Sequence, residues 1–184
     1  MRVISGSARS LKLKTVEGLD TRPTTDRVKE TLFNMIHHDL FHARVLDLFA
    51  GSGAIGIEAL SRGASFAVFV EHNRSAAKCI EENLRHTKLR DQAELLCMEC
   101  MAAIRRFREG ETFDFIFMDP PYDRALEREA LGFLSDSPVV TKETLIIVEA
   151  SLNTEFSYLS EMGFEMLREK RYKTNKHVFI KRFS

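Results

Sequence analysis

From Arg44 onward the chain alternates between short apolar runs and longer stretches whose apolar residues recur at helical spacing. This alternation predicts a parallel sheet with right-handed crossovers and helices on both faces. The predicted strands are residues 44–49, 65–71, 92–97, 112–118 and 143–149. The predicted helices are residues 54–62, 74–87, 101–108, 124–134 and 154–162. We therefore expect an α/β fold with a doubly wound, Rossmann-like sheet.

Both ends of the chain depart from this alternation. Residues 164–172 and 177–183 leave no room for a helix between them, so we expect an antiparallel C-terminal hairpin that closes the sheet. Residues 2–5 and 11–14 predict a small N-terminal β-hairpin, and residues 1–20 are taken as an extension of a main domain at 21–184. At the start of that domain, Thr24 or Thr25 is expected to cap a helix whose apolar residues recur from Val28 to Leu40.

The composition suits one domain with a full-sized core, since 44% of the 184 residues are hydrophobic. No apolar run approaches the roughly 20 residues needed to cross a bilayer, and the N-terminus lacks the apolar region of a signal peptide. The three cysteines, an odd number, do not form a disulfide framework, so we expect a reducing cytoplasm. Cys97 and Cys100 have C-x-x-C spacing but no second pair, so no metal site is predicted.

The formal net charge of zero conceals basic chain ends. Residues 1–16 carry four basic and no acidic side chains, and residues 168–184 carry seven basic and one acidic. Such ends suggest a polyanion-binding surface, although charge alone favours an ordinary solvated surface. The candidate nucleic-acid contacts are Arg2, Arg9, Lys12, Lys14 and Arg22.

A glycine loop joins the first sheet strand to its helix. Gly51, Gly53 and Gly56 match G-x-G-x-x-G, which allows a ligand to approach the backbone at a helix N-terminus. Glu71, at the end of the second strand, can accept hydrogen bonds from both ribose hydroxyls. These features alone fit NAD, FAD or S-adenosylmethionine.

Acidic residues favour the last of these cofactors. Asp47 directly precedes the glycine loop, where a carboxylate would repel a pyrophosphate but attract the ammonium and sulfonium groups of S-adenosylmethionine. Glu99 follows the third strand, where an adenine could be contacted. The acids could instead be helix caps and surface residues, but three of them around one ligand indicate a cationic cofactor.

The predicted fourth strand ends in Asp119-Pro120-Pro121-Tyr122. Proline cannot donate to a sheet ladder, and Pro120 keeps Asp119 extended, so a stiff loop should follow the strand. Open α/β sheets place their ligands at this carboxyl edge. The loop therefore predicts an active site. The alternative is an ordinary turn at the end of a strand, but the glycine loop and Glu71 precede this loop in the order that a ligand-binding fold of this kind requires.

Together these motifs resemble class I S-adenosylmethionine-dependent methyltransferases that modify exocyclic amino groups. The segments 2–6 and 22–34 further resemble the RsmD-type bacterial 16S rRNA guanine-N(2)-methyltransferases, over nearly the whole chain. The resemblance implies a seven-stranded sheet and an RNA substrate in the small ribosomal subunit or its precursor. We further expect no membrane association, no metal and a monomeric protein. The resemblance also implies that the cofactor contacts Asp47, Gly51, Ser52, Gly53, Glu71, Glu99, Cys100 and Asp119.

The predicted catalytic residues are Asp119, Pro120 and Tyr122. The Asp119 carboxylate and the Pro120 carbonyl can accept hydrogen bonds from the two amino hydrogens and position the nitrogen. The Tyr122 ring can stack on an extruded base. Three alternatives remain open: an adenine-N(6) amino-methyltransferase acting on DNA or RNA, an NAD-dependent oxidoreductase, and a non-catalytic RNA-binding assembly factor.

Overall fold

A computed structural model describes residues 1–16, 25–122 and 124–183. One seven-stranded sheet has the order β3-β2-β1-β4-β5-β7-β6. Strands β1 to β5 are parallel, and the last two are antiparallel to their neighbours. The strands are Arg44–Asp47 (β1), Phe66–Val70 (β2), Ala93–Leu96 (β3), Phe115–Met118 (β4), Leu145–Ser151 (β5), Phe164–Arg171 (β6) and Asn175–Arg182 (β7). The predicted fold class is confirmed.

The main helices connect or flank these strands. They are Asp26–Met35 (α1), Ala54–Ser61 (α2), Arg74–His86 (α3), Cys100–Arg106 (α4) and Leu126–Ser135 (α5). Two separate clusters of buried hydrophobic residues pack against the sheet, as a doubly wound fold requires. Within the described ranges, none of the helices has the length and apolar character that crossing a bilayer demands.

Helix α1 begins as predicted but ends early. The Thr25 side chain accepts a hydrogen bond from the Val28 N–H at 3.3 Å, and Asp26 lies in the first turn. The helix stops at Met35, and a 3₁₀ turn at His37–Asp39 follows. The predicted continuation to Leu40 is therefore wrong in type, although Ile36 and Leu40 are buried as the periodicity required.

The prediction of an α-helix at 154–162 is wrong. A turn joins Ser151 to Thr154 through a 3.0 Å contact between their hydroxyls, and Gly163 adopts φ +76. Only a 3₁₀ helix, Ser157–Met162, fits between them. The C-terminal hairpin is also tighter than predicted, because the Tyr172 N–H donates to the Asn175 carbonyl at 2.8 Å. Asn175 and Lys176 therefore lie in β7 and not in the turn.

The N-terminal segment pairs with itself at a single antiparallel bridge, Arg2 to Lys12, instead of forming two strands. Its two arms are joined by three main-chain hydrogen bonds, as a hairpin requires, from the N–H groups of Val3, Ser10 and Leu13. The N–H groups of Ile4 and Ser5 donate instead to Glu58 at 2.8 and 3.1 Å. Val3, Ala8 and Leu13 are buried in the core cluster that also contains α1 and β1. The expected boundary between residues 20 and 21 lies outside the described residues.

A buried ion pair fastens this segment to the helices. Lys29 Nζ lies 3.3 Å from Glu58 Oε2, and both side chains are fully buried. Lys29 also donates to the Arg2 carbonyl at 2.6 Å, and Arg62 Nε donates to Glu58 at 2.8 Å. Burial lowers the pKa of Lys29, and the charge of Glu58 partly opposes that shift. No sequence pattern pointed to this network, which holds the N-terminal segment against α1 and α2.

Candidate functional site

A cavity of about 280 Å³ opens at the carboxyl ends of β1, β4 and β5. Four predicted site residues line it: Asp47, Gly51, Ser52 and Asp119. Glu149 and His177, which were not predicted as site residues, line it as well. Part of the wall comes from Met1, Thr15 and Val16, so the N-terminal segment encloses the site.

The three glycines of the loop have different tasks. Gly51 and Gly53 adopt φ values of +55 and +79, a region that favours glycine, and Gly53 is the N-cap of α2. Gly56 is needed for packing, because a Cβ there would lie 2.3 Å from the Phe69 ring on β2. The predicted loop is therefore present, with two glycines shaping its turn and the third seating the helix on the sheet.

Asp47 and Glu71 hold this loop through its main chain. Asp47 Oδ2 accepts from the Gly56 N–H at 3.3 Å. Glu71 accepts from the Gly51 N–H at 2.9 Å and from the Asn73 N–H at 2.7 Å. Burial raises the pKa of Asp47 to about 7; the charge of Glu71 also raises it, whereas the Gly56 hydrogen bond lowers it. Asp47 is thus a buried carboxyl whose ionisation a nearby cation would favour.

Glu99 and Cys100 stand apart from the cavity lining. Glu99 is the exposed N-cap residue of α4 and makes no side-chain capping bond. Cys100 opens that helix, and burial raises the pKa of its thiol to about 12. All three cysteines are free thiols. Among the described residues there is no cluster of three or more side chains suited to a metal ion.

Asp119 follows β4 directly and lines the cavity. Burial raises the pKa of its carboxyl well above the ordinary range, and the charges of Glu149 and Asp47 raise it further. Pro120 is buried, and no described residue donates a hydrogen bond to its carbonyl. Asp119 thus offers an acceptor in the cavity wall, and the Pro120 carbonyl is the next acceptor along the chain, although Pro120 itself does not line the cavity.

Tyr122 is tied to the sheet by residues that the sequence analysis missed. Its hydroxyl donates to Glu149 Oε1 at 3.0 Å, which also accepts from Asn175 at 2.6 Å. Glu149 Oε2 lies 3.2 Å from His177 Nε2. Glu149 lies within β5 but directly follows its apolar run at 145–148, much as Asp119 follows β4, and that signal could have identified it. Asn175 and His177 depend on the register between β5 and β7, which no local pattern specifies.

The basic residues near the N-terminus divide into two kinds. Arg2 pairs with Asp26 at 3.1 Å, and Lys14 pairs with Glu82 at 2.7 Å. Arg9 and Lys12 are exposed and make no ion pair with a described residue. Arg22 lies outside the described residues. In the C-terminal hairpin, Arg171 and Lys176 are both paired with Glu169.

Comparisons with known proteins agree with this arrangement. The family model described as conserved hypothetical protein 95 matches residues 1–181. YlbH of Bacillus subtilis is 40% identical over 156 residues, covering 84% of this chain and 85% of that protein. Ribosomal RNA small subunit methyltransferase D of Escherichia coli is 38% identical over 152 residues, covering 83% and 75%. The solved structure of Escherichia coli yhhF matches with a TM-score of 0.86 and 34% identity, covering 99% and 97%.

Proposed function

This chain belongs to the family described as conserved hypothetical protein 95, and we propose that it methylates the exocyclic 2-amino group of a guanine in 16S rRNA. The methyl donor would be S-adenosylmethionine, and the substrate the small ribosomal subunit or its precursor in the cytoplasm. The resemblance to RsmD-type methyltransferases that the motifs predicted is confirmed. The identity of the target base, guanine, and of the methylated group, its 2-amino group, is our proposal.

One observation carries this proposal: three carboxyl groups surround one cavity at the carboxyl edge of the sheet. They belong to Asp47, Asp119 and Glu149. A cation entering the cavity relieves their mutual repulsion, whereas a pyrophosphate increases it. This charge pattern fits S-adenosylmethionine, which supplies an electrophilic methyl group on a sulfonium. It does not fit the pyrophosphate of NAD.

The other cofactor contacts follow from the elements around the loop. Glu71 fixes Gly51, so a ribose bound to this carboxylate would also be held at the turn of the glycine loop. Ser52 and Gly53 complete that turn before α2. Glu99 and the Cys100 backbone N–H, at the start of α4, are the groups assigned to the adenine.

At the acceptor end, Asp119 and Pro120 act on the amino group of the base. Two acceptors on its two hydrogens orient the nitrogen and favour a localised lone pair, which guanine otherwise delocalises into its ring. Asp119 accepts well only when ionised, and a bound cation lowers the raised pKa of this carboxyl towards that state. The N–C bond would form as the methyl–sulfur bond of the sulfonium breaks, with the neutral thioether S-adenosylhomocysteine as the leaving group. The nitrogen would then lose a proton, and we assign the role of acceptor to Asp119.

The RNA would be held by phosphate contacts beside the cavity. Arg9 and Lys12 project from the segment whose neighbouring residues Met1 and Thr15 line the cavity. Arg2, Lys14 and Arg22 complete the proposed contact set. Contacts of this kind orient the RNA and weaken with salt, but they do not choose the base. Tyr122 would stack on the extruded base, a contact worth about 1–3 kcal/mol.

The decisive experiment follows labelled methyl transfer from S-adenosylmethionine to undermethylated small subunits, naked 16S rRNA and DNA. We expect N(2)-methylguanine from the RNA substrates. Recovery of N(6)-methyladenine would replace the proposed base, and labelling of DNA alone would replace the proposed substrate. Cofactor and RNA binding without any transfer would favour a non-catalytic assembly factor.

A further inference from the structure

A chain of hydrogen bonds leads from the candidate active site into the C-terminal hairpin. It begins at Tyr122, whose hydroxyl donates to Glu149 at 3.0 Å. It continues from Glu149 to His177 Nε2 at 3.2 Å, and from His177 Nδ1 to the Tyr172 hydroxyl at 3.1 Å. Asn175 adds a 2.6 Å bond to Glu149. The chain joins the loop after β4 to β5, β7 and the hairpin turn.

One assignment of protons satisfies every member of the chain. Tyr172 donates to His177 Nδ1, and the Nε2–H of His177 then donates to Glu149. Burial raises the pKa of the Tyr172 phenol to about 12, so its hydroxyl keeps the proton that it donates. Burial alone would raise the pKa of Glu149, but its bonds from His177, Tyr122 and Asn175 lower it overall. Glu149 is thus an ionised acceptor for three donors.

The stability of the sheet does not depend on this chain of hydrogen bonds. Strands β5 and β7 are paired through six residues, from Ile146 opposite Ile180 to Ser151 opposite Asn175. That main-chain ladder would survive loss of the His177 ring. Tyr122, by contrast, lies on a loop after two prolines, outside any helix or strand. The chain therefore acts mainly on the direction of the Tyr122 ring.

We propose that Glu149 and His177 are positioning residues that fix Tyr122 for the acceptor nucleotide, with Tyr172 fixing His177 in turn. The inference rests on the proposed function, because it assigns Tyr122 to the acceptor base. It goes further in naming residues on β5 and β7 that act on the reaction through Tyr122. His177 is the clearest case, since its ring meets Tyr172 edge-on at 5.1 Å between centroids and is almost fully buried.

The first test is a double-mutant cycle on turnover. Tyr122→Phe keeps the ring but loses the hydroxyl, and His177→Phe keeps an aromatic ring but loses both nitrogens. We expect each to lower kcat by roughly tenfold, with the Kd of S-adenosylmethionine unchanged within about twofold. The double variant should be no slower than the worse single variant, because both changes break the same chain.

Tyr158→Phe is the matched control. Its hydroxyl is buried and has no hydrogen-bond partner among the described residues, so its loss should leave kcat unchanged. Multiplying losses in the double variant would overturn the proposal, because they would show independent action. A lower Tm with wild-type kcat in Tyr122→Phe would also overturn it, since the chain would then serve stability alone.

A second measurement needs no RNA and separates this inference from the proposed function. The protein has three tyrosines and no tryptophan, so ring-labelled tyrosine gives three NMR signals, assigned with the three Tyr→Phe variants. His177→Phe should shift or broaden the Tyr122 signal and leave the Tyr158 signal in place. An unchanged Tyr122 signal would overturn the inference even with an active enzyme. A changed signal in a protein that methylates no RNA would instead overturn the proposed function.

Discussion

The two ends of the cavity hold their carboxylates in different ways. At the glycine loop, Asp47 and Glu71 accept hydrogen bonds from main-chain N–H groups of nearby residues. At the acceptor end, Glu149 accepts from the side chains of Tyr122, Asn175 and His177. The first arrangement needs only the right backbone path, whereas the second needs particular side chains from three parts of the chain.

This difference predicts different responses to mutation. Main-chain donors remain when neighbouring side chains change, so the cofactor end should respond mainly to loss of its own carboxylates. Side-chain donors can each be removed singly, so the acceptor end should respond to changes at several positions. Four experiments test this distinction, and they follow in decreasing order of expected effect.

Asp119→Ala should reduce methyl transfer by about 10²-fold or more, because it removes an acceptor that acts in the transition state. The Kd of S-adenosylmethionine should change far less, as measured by calorimetry beside a single-turnover assay. Asp136→Ala, at an exposed position after α5, is the control and should behave as wild type. Near-normal turnover of Asp119→Ala would refute the division of labour between the two ends.

Glu71→Gln should weaken S-adenosylmethionine binding by about 10-fold to 100-fold. The substitution places an amide donor where the carboxylate accepts from Gly51 and Asn73, and a bond to a charged group contributes about 1.5–3 kcal/mol. Turnover at saturating cofactor should change little. Glu94→Gln, on the adjacent strand β3, is the control; equal losses in both variants would mean that the loop does not depend on Glu71.

Asp47 should make cofactor affinity depend on pH. Burial raises the pKa of its carboxyl to about 7 in the free protein, and a bound cation favours the ionised form. Below pH 7 a proton must therefore leave on binding, and affinity should fall by up to about tenfold per pH unit. Calorimetry across pH 5.5–8.5, roughly 1.5 units on either side of the expected pKa, measures this dependence. Asp47→Asn should flatten the profile of affinity against pH. An identical slope in that variant would assign the proton to another group, with Asp119 the first candidate.

Replacing Arg9 and Lys12 with alanine should have the smallest effect, a weaker RNA affinity with unchanged cofactor binding. Each lost phosphate contact should reduce the slope of log affinity against log salt by roughly 0.7–0.9. Lys14→Ala should change the slope less, since Lys14 is already paired with Glu82. A salt slope that is the same in all variants would remove the N-terminal segment from the RNA interface.

The same contrast explains which features could be predicted from the sequence. The β–α alternation, the glycine loop and the Asp119 loop are local patterns, and the structure contains them close to the expected positions. The sequence pattern leaves Asn175 between the two predicted C-terminal strands, because nothing in residues 173–176 reveals that the ladder with β5 extends to Ser151. The N-terminal hairpin is shorter than predicted for a similar reason, since the N–H groups of Ile4 and Ser5 bond to Glu58, more than fifty residues away.

Gly56 has a consequence for how such chains diverge. A glycine is required at this position because a side chain would clash with the Phe69 ring on β2 and push α2 away from the sheet. A descendant that no longer bound a methyl donor would still be under selection to keep this glycine as long as it kept the fold. Gly51, with open space around it and a φ of +55 that asparagine also tolerates, would be free to drift. Retention of the third glycine after loss of the first would therefore mark a lineage that kept the architecture and abandoned the chemistry.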